Sequence, residues 1–199
     1  MQATTDSRIA PLLEKIVADR DYHAKWLNLV SFMENTGTTK IYRSMSPSEF
    51  DQTILQHAAE ESRHALFFKN QLTRIYGNVC SDYSDKSMLA KKPAFGYFQR
   101  LDAMVRKKTA GNKYLNYLYV TMLIEERASK VYVIYEDLLS RYVPELSLKN
   151  VLKEEEGHLE FTVREIRKND EKFDMHIAEM REKEELLFDR FWSTLEKLI

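Results

Sequence analysis

Two copies of the pattern Glu-x-x-His occur in the chain, and a further glutamate precedes each copy by a similar interval. The six residues of this arrangement are Glu34, Glu61, His64, Glu125, Glu155 and His158. A carboxylate can bind one cation or bridge two, and neutral imidazoles complete such sites, so this set suits a pair of transition-metal ions. Glutamate and histidine three residues apart lie on one face of a helix. Each copy is therefore predicted to direct both side chains toward one metal.

The spacing within each copy favours convergence on one place. Glu34 precedes Glu61 by 27 residues, and the corresponding interval in the second copy is 30 residues. Each interval is long enough to finish one helix, turn, and return to the same height on the next. A single Glu-x-x-His motif has little weight because glutamate is abundant, but two copies on apolar helix faces are not expected by chance. Without metal, four buried carboxylates would repel one another and lose hydration, so a purely structural role is unfavourable.

The composition indicates one helical domain. Of the 199 residues, 44% are hydrophobic and 31% are charged, and five glycines and four prolines leave little material for a turn-rich β architecture. The formal net charge of −1 gives no general attraction to nucleic acid or anionic membranes. Cys80 is the only cysteine, which excludes an internal disulfide, and no secretion signal or long apolar span is recognised. We expect a soluble, cytoplasmic protein without a membrane partner.

Helical periodicity then assigns the candidates to inward faces. Glu34 lies in the middle of an apolar stripe that is predicted to span two consecutive helices, with a break near residues 18–21. Ser46–Glu49 resembles an N-cap, a proline at the first helical position and a capping-box glutamate, which predicts the start of another helix. That helix is expected to end near Gly77, and a shorter amphipathic helix is predicted at 97–108 within the crossover that follows.

The second half is predicted to repeat this layout. A helix over residues 113–141 directs Glu125 inward and leaves Glu126 near the rim. Pro144 separates it from the helix that carries the second Glu-x-x-His copy, and residues 171–199 form a further amphipathic helix. The connection between the two halves, about residues 78–111, is long enough for the chain to cross over before the next helix begins. The pattern therefore favours an all-α bundle with a long crossover.

Three assignments concern residues away from this site. The periodicity places Asn116 and Arg127 on the solvent-facing side of the helix over residues 113–141. His23 lies 11 residues before Glu34, and Glu136 follows the second inward glutamate by the same number. Since those helices are expected to be antiparallel, His23 and Glu136 are predicted to approach one another or to share a water.

The arrangement resembles that of the ferritin-like di-iron carboxylate superfamily, and the match covers about residues 21–170. The resemblance implies an all-α, ferritin-like four-helix bundle with additional N-terminal, crossover and C-terminal helices, in a single domain over residues 1–199. It also implies that the six residues bind two iron ions, with manganese or a mixed manganese and iron pair as alternatives. Because many activities share this fold, the resemblance does not select one of them.

The main functional expectation is a non-haem di-iron oxidoreductase that uses dioxygen to oxidise a small organic substrate. The reaction could be hydroxylation, desaturation, carbon–carbon cleavage or N-oxygenation. The sequence also leaves open whether an electron-donor protein is a partner and whether the chain forms a homodimer. The alternatives are a ferritin-like protein that oxidises and stores iron, and a mixed manganese and iron oxidase-like protein. Substrate space beside the metals distinguishes the first interpretation, and Gly37, one turn past Glu34, is a candidate to provide it.

His57 lies one turn before Glu61 and extends the first copy to His-x-x-x-Glu-x-x-His. Through this third inward histidine the chain resembles the p-aminobenzoate N-oxygenases. Those enzymes carry the additional histidine in the second half, at the position where this chain has Val151. We favour a hydrogen bond from His57 to a ligand carboxylate, and direct metal ligation is the alternative. Tyr132, two turns beyond Glu125, has three open roles: a donor to a ligand carboxylate, an oxidisable phenol, or a tyrosine of the core.

The crossover is rich in cations. They are Lys86, Lys91, Lys92, Arg100, Arg106, Lys107, Lys108 and Lys113. This segment could dock an acidic carrier protein, a reductase or RNA, but a solvated basic face is the simpler interpretation. His176, in the final helix, is expected to have a structural or exposed position.

Overall fold

The computed structural model describes residues 5–44 and 52–199. Across these two ranges the chain forms seven α-helices and no strand, which confirms the all-α prediction. In chain order the helices are α1 (Thr5–Ala18), α2 (Arg20–Ser44), α3 (Gln52–Tyr76), α4 (Lys91–Lys108), α5 (Lys113–Tyr142), α6 (Lys149–Asn169) and α7 (Phe173–Glu196). A short 3₁₀ turn at Asp85–Ser87 lies between α3 and α4. None of the described helices is long and apolar enough to cross a bilayer.

Local signals account for most helix ends. Asp19 separates α1 from α2, and its side chain accepts hydrogen bonds from the amides of Asp21 and Tyr22, both at 2.9 Å. This confirms the predicted break. Helix α3 ends before Gly77, whose φ of +79° lies in the left-handed region that glycine adopts without strain. Asn112 caps α5 at the other end of the crossover. The predicted cap at Ser46–Glu49 lies outside the described residues.

Four long helices are packed so that each contacts two of the others. Helix α2 packs along α3 and α5 packs along α6, while α2 also contacts α5 and α3 also contacts α6. These contacts close a ring, and each of its members contributes at least one of the predicted ligands. Helices α1, α4 and α7 pack on this ring and on one another. The N-terminal, crossover and C-terminal helices expected from the sequence are therefore all present.

The outer helices overturn one prediction. Asn116 and Arg127 are each only 6% exposed, although periodicity placed them toward solvent. Asn116 donates to Asp102 of α4 at 3.0 Å, and Arg127 pairs with Glu184 of α7 at 2.6 Å. Periodicity assumes one buried face on each helix, whereas α5 contacts α1, α2, α4 and α6 and is covered on several sides.

The predicted approach of His23 and Glu136 is wrong. His23 is fully buried, with Nδ1 2.5 Å from the hydroxyl of Tyr76 and Nε2 2.5 Å from the hydroxyl of Tyr135. Glu136 instead accepts a hydrogen bond from the amide of Leu148 at 2.5 Å, next to the start of α6. Because neighbouring helical residues point about 100° apart, it is Tyr135 and not Glu136 that faces His23.

Candidate metal centre

All six predicted ligands are buried and meet between the four ring helices, with at most 8% of any residue exposed. The structure brings a seventh residue, His57, to the same place. Candidate ligand atoms form two groups, and within each group they lie within 4.8 Å of one another. The Glu34 group consists of Glu34, Glu61, His64 and Glu155, and the His57 group consists of His57, Glu61, Glu125 and His158. Glu61 belongs to both groups, which is the position that a bridging carboxylate would occupy.

The distances between donor atoms suit ligands arranged around shared ions. His64 Nδ1 lies 3.0 Å from a carboxylate oxygen of Glu155. His158 Nδ1 lies 3.4 Å from the other oxygen of Glu155, 3.7 Å from Glu61 and 3.8 Å from Glu125. Two ligands that are each about 2.0–2.2 Å from one ion lie about 3.0–3.4 Å apart, so only small adjustments separate this geometry from a coordinated one.

Hydrogen bonding identifies the atoms that need a partner. The buried atoms of this centre that have no hydrogen-bond partner among the described residues are His57 Nε2, Glu61 Oε1, His64 Nδ1, Glu155 Oε2 and His158 Nδ1. An unsatisfied buried polar atom costs about 1–3 kcal/mol, and most such atoms in folded proteins are paired. Five of them around one centre could serve as the donors of a cation site, and a mixture of imidazole nitrogens and carboxylate oxygens fits transition metals.

The other nitrogens of two histidines are held by carboxylates. Nε2 of His64 lies 2.7 Å from Glu154, and Nε2 of His158 lies 2.8 Å from Glu60. The contacts are crossed, because each histidine is held by the helix that carries the other motif. A carboxylate accepts a hydrogen bond from Nε2–H, so in the neutral imidazole these contacts leave the lone pair of Nδ1 directed at the centre. Arg63 supports the pair by contacting Glu154 at 2.8 Å.

Sequence reasoning missed these supporting carboxylates. Neither Glu60 nor Glu154 was singled out from the sequence. The sequence does contain a signal, since both copies read Glu-Glu-x-x-His and the first glutamate of each pair is the one that holds a histidine. A third doublet behaves differently: Glu125 lies in the His57 group, whereas Glu126 contacts Arg181 on α7, with Nε at 2.9 Å.

His57 does not form the favoured hydrogen bond to a carboxylate. Its Nε2 lies 3.5 Å from Glu61 and 3.6 Å from Glu125, which is longer than the roughly 2.7–3.2 Å of such a hydrogen bond. Its Nδ1 is 2.7 Å from the hydroxyl of Tyr117. The ring is thus held at one nitrogen and presents the other to the centre, as the ligand histidines do. On α6 the corresponding position is Val151, which is buried and offers no donor.

Tyr132 and Gly37 shape the carboxylates. The hydroxyl of Tyr132 donates to Oε1 of Glu34, so the donor role considered for this tyrosine is the one observed. Gly37 lies on α2 next to Glu61, where a Cβ atom would come within 2.8 Å of Oε2. Any larger residue at position 37 would therefore displace the carboxylate that the two groups share.

Burial and mutual repulsion set the protonation of the centre. Burial raises the pKa of Glu34 and Glu125 well above the ordinary range, and the neighbouring carboxylates raise it further. Burial alone lowers the pKa of His64, but contact with Glu155 and the charge of Glu34 outweigh it and raise the pKa to about 10. Burial alone raises the pKa of Glu155, yet its contacts with Glu125 and with the imidazoles of His158 and His64 lower it below the ordinary value. Protons thus occupy the centre in the absence of other cations, and metal ions would replace them.

An apolar cavity of about 60 Å³ adjoins the centre. Carboxylates of the site form its base, with Glu34, Glu61, Glu125 and Glu155 among the lining residues. Its walls include Trp26, Val30, Met33, Ile124, Val131 and Phe191. The polar groups named lie at the base and the walls are apolar, so the cavity suits an apolar group placed beside the carboxylates. Gly37 also lines it, as proposed from the sequence.

His176, in the final helix, lies outside the centre. Its Nδ1 is 2.7 Å from Asp170, and it does not contribute to either ligand group.

Comparison with protein-family models, with curated proteins and with solved structures found no match. The protein is therefore helical and has a buried cluster of glutamates and histidines that could hold metal ions. Its function is inferred from the geometry of this cluster.

Proposed function

We propose that the chain is a non-haem di-iron oxidoreductase of the ferritin-like type that uses dioxygen to oxidise a small organic substrate. The observation that carries this proposal is the juxtaposition of two ligand groups sharing Glu61 with an apolar cavity against the same carboxylates. The closed ring of α2, α3, α5 and α6 and the crossover between α3 and α5 support the ferritin-like assignment. The cavity supports oxidation of an organic molecule rather than of iron alone.

The donor set suits two divalent ions. Four carboxylates balance the charge of two such ions, and three imidazoles complete the set when His57 is included. Nitrogen and oxygen donors together favour iron, with manganese or a mixed pair as alternatives. The Glu34 group has three carboxylates and one imidazole, whereas the His57 group has two of each. In a mixed pair, manganese would favour the Glu34 group, because it prefers oxygen ligands.

Bound iron would supply the electrons and the open coordination positions that dioxygen activation requires. Residues of the chain would orient the ligands and exclude water. Glu60 and Glu154 hold the tautomers of the ligand histidines, Tyr132 orients Glu34, and the apolar walls keep water from the reacting atoms. Repeated turnover would need an electron-donor protein.

A storage function is the second candidate, and one observation favours it. Glu60, Glu154 and His158 line a cleft of about 310 Å³, and this cleft shares no lining residue with the apolar cavity. Carboxylates in an open cleft attract cations, so iron ions could reach the ligands there. An iron-storage protein would have no need of the apolar cavity, and for that reason we prefer the oxidoreductase.

Metal content and oxygen consumption together test the proposal. We expect about two iron ions per chain after anaerobic loading, and sharply lower occupancy in Glu61→Ala and Glu155→Ala, since both remove a carboxylate from the centre. Dioxygen should be consumed once per loaded chain without an electron donor and repeatedly with one. Continued uptake of iron well beyond two ions per chain would instead indicate storage. Full metal content in both variants would overturn the site.

A separate variant tests His57. If it is a ligand, His57→Ala retains about one ion per chain, because the His57 group is left with three donors. Val151→Ala, at the corresponding position of α6, is the matched control and should retain two ions. Two ions in both variants would assign His57 a supporting role, as the sequence first suggested.

A further inference from the structure

A basic opening lies at the surface beside α2, α4 and the start of α5. This opening is a cavity of about 440 Å³. The charged residues that line it are Lys40, Arg43, Asp102, Arg106 and Lys113. Four cations therefore face one acid, in a protein whose overall formal charge is −1.

A narrower cavity, the passage, shares wall residues with both this opening and the candidate metal centre. The passage measures about 30 Å³ and shares Lys40 and Asp102 with the basic opening. At its inner end it is lined by His57, Glu61 and Glu125, all members of the His57 group. Glu61 and Glu125 in turn line the apolar cavity. The three spaces thus form a series from the surface, past the ligands, to the apolar cavity.

The positive charge of the opening is only partly compensated. Asp102 contacts Arg106 at 3.1 Å and Lys40 at 3.6 Å. Within residues 5–44 and 52–199, no ion pair is formed by Arg43 or Lys113. Burial lowers the pKa of Lys40, and the nearby charges of Arg106 and Arg43 add to this effect while Asp102 opposes it. An anion in the opening would relieve this repulsion.

We propose that the basic opening binds the anionic head group of the substrate, which is an amphiphile with a carboxylate or phosphate head and a slim, unbranched apolar tail. The head group would contact Arg43 and Lys113, and the tail would pass the His57 group toward the apolar cavity. The narrow passage excludes branched or bulky tails, and the cations repel iron ions, which leaves the cleft at Glu60 for metal. This inference rests on the proposed function for the fate of the tail, but anion binding itself needs no metal.

Calorimetric titration of the full-length chain tests the inference with three probes of equal chain length: octanoate, octyl phosphate and octanol. At low salt, we expect at least one anion to bind about tenfold or more tightly than octanol. Hexanoate should bind more weakly than octanoate by about threefold for each methylene removed, because the tail is buried. The tighter of the two anions then identifies the head group.

Two double variants locate the binding. Arg43→Gln with Lys113→Gln should weaken anion binding by about tenfold or more and leave octanol unchanged, since neither residue forms an ion pair with another residue that the structure describes. Lys86→Gln with Lys107→Gln removes two exposed cations of the same crossover and should change nothing. Equal binding of octanoate, octyl phosphate and octanol, or equal loss in the two double variants, would overturn the inference.

Metal analysis of the same samples separates this inference from the proposed function. A chain that holds two metal ions but shows no preference for anions would overturn the inference alone. A chain that prefers anions but holds no metal would overturn the proposed function and leave the anion site in place.

Discussion

Two buried polar clusters lie close together in this protein, and they differ in whether their atoms are satisfied. The Arg127 cluster consists of Arg127, Glu184 and Tyr97. Arg127 donates to both oxygens of Glu184, at 3.0 Å from Nε and 2.6 Å from Nη2. Tyr97 donates to the same carboxylate at 2.7 Å, and the guanidinium lies 4.2 Å from the ring centre of Phe188. None of the side-chain polar atoms in this cluster lacks a partner among the described residues.

The metal centre is equally buried, but its inward atoms are unsatisfied. The comparison teaches that burial of charge does not by itself mark a functional site. A closed set of hydrogen bonds stabilises one arrangement of the chain, whereas unpartnered atoms that converge on one point need an external ligand. Substitution in the Arg127 cluster should therefore lower stability and leave metal binding intact. Substitution at the metal centre should instead weaken metal binding.

The largest effect on stability is expected in the Arg127 cluster. Arg127→Met leaves the charge of Glu184 buried with the hydroxyl of Tyr97 but without a cationic partner, and should lower the free energy of unfolding by about 3–5 kcal/mol. Urea denaturation of the metal-free protein measures this, and metal content should stay at two ions per chain. Adding Glu184→Leu to Arg127→Met should restore most of the stability. Loss of metal in the single variant would contradict the separation of the two clusters.

A second satisfied group, His23, predicts a pH dependence. Burial lowers the pKa of His23 from 6.5 to about 4, so between these values only the unfolded chain binds this proton. Stability from this group is complete above pH 6.5 and is lost as pH falls toward 4, by about 3 kcal/mol. His23→Gln should lack this loss, and the difference between wild type and variant, both metal-free, cancels the other titrations. Parallel stability curves for the two proteins would refute the assignment.

A smaller effect is expected at the carboxylates that support the ligand histidines. Glu60→Gln and Glu154→Gln should each weaken metal affinity by about 10–100-fold, because an amide orients the imidazole less strongly than a carboxylate does. The stability of the metal-free protein should change little. Glu156→Gln is the matched control, since Glu156 is exposed on the same helix as Glu154. Competition with a chelator measures the affinity, and equal values for all three variants would show that the crossed contacts have no role.

The smallest effect concerns two glycines that the structure distinguishes. Gly157→Ala adds a Cβ that meets nothing within 4 Å, so it should stabilise α6 by up to about 1 kcal/mol and leave the metals bound. Gly37→Ala should stabilise α2 similarly in the metal-free protein but weaken metal binding, because its Cβ would press on Glu61. Thermal unfolding with and without metal measures both. Identical behaviour of the two variants would mean that the carboxylate of Glu61 moves without cost.

Local patterns in the sequence determined the helices and the direction of most ligands. Periodicity, the stop at Gly77 and the break near Asp19 depend only on neighbouring residues, and they predicted most helix ends to within a few residues. The exception is α4, which begins at Lys91 and not at the predicted residue 97. The choice of Glu125 over Glu126 as the inward residue is of the same kind, because the two point about 100° apart on one helix. These features do not depend on which other helices each helix packs against.

Only the tertiary structure decided which residues meet across helices. The exchange of partners, with Glu60 on His158 and Glu154 on His64, depends on the relative rotation and height of α3 and α6. The burial of Arg127 likewise depends on α7, which no pattern within α5 reveals. A helical period states which face a side chain occupies, but contact also requires the position of the facing helix, which is set by the packing of the whole core.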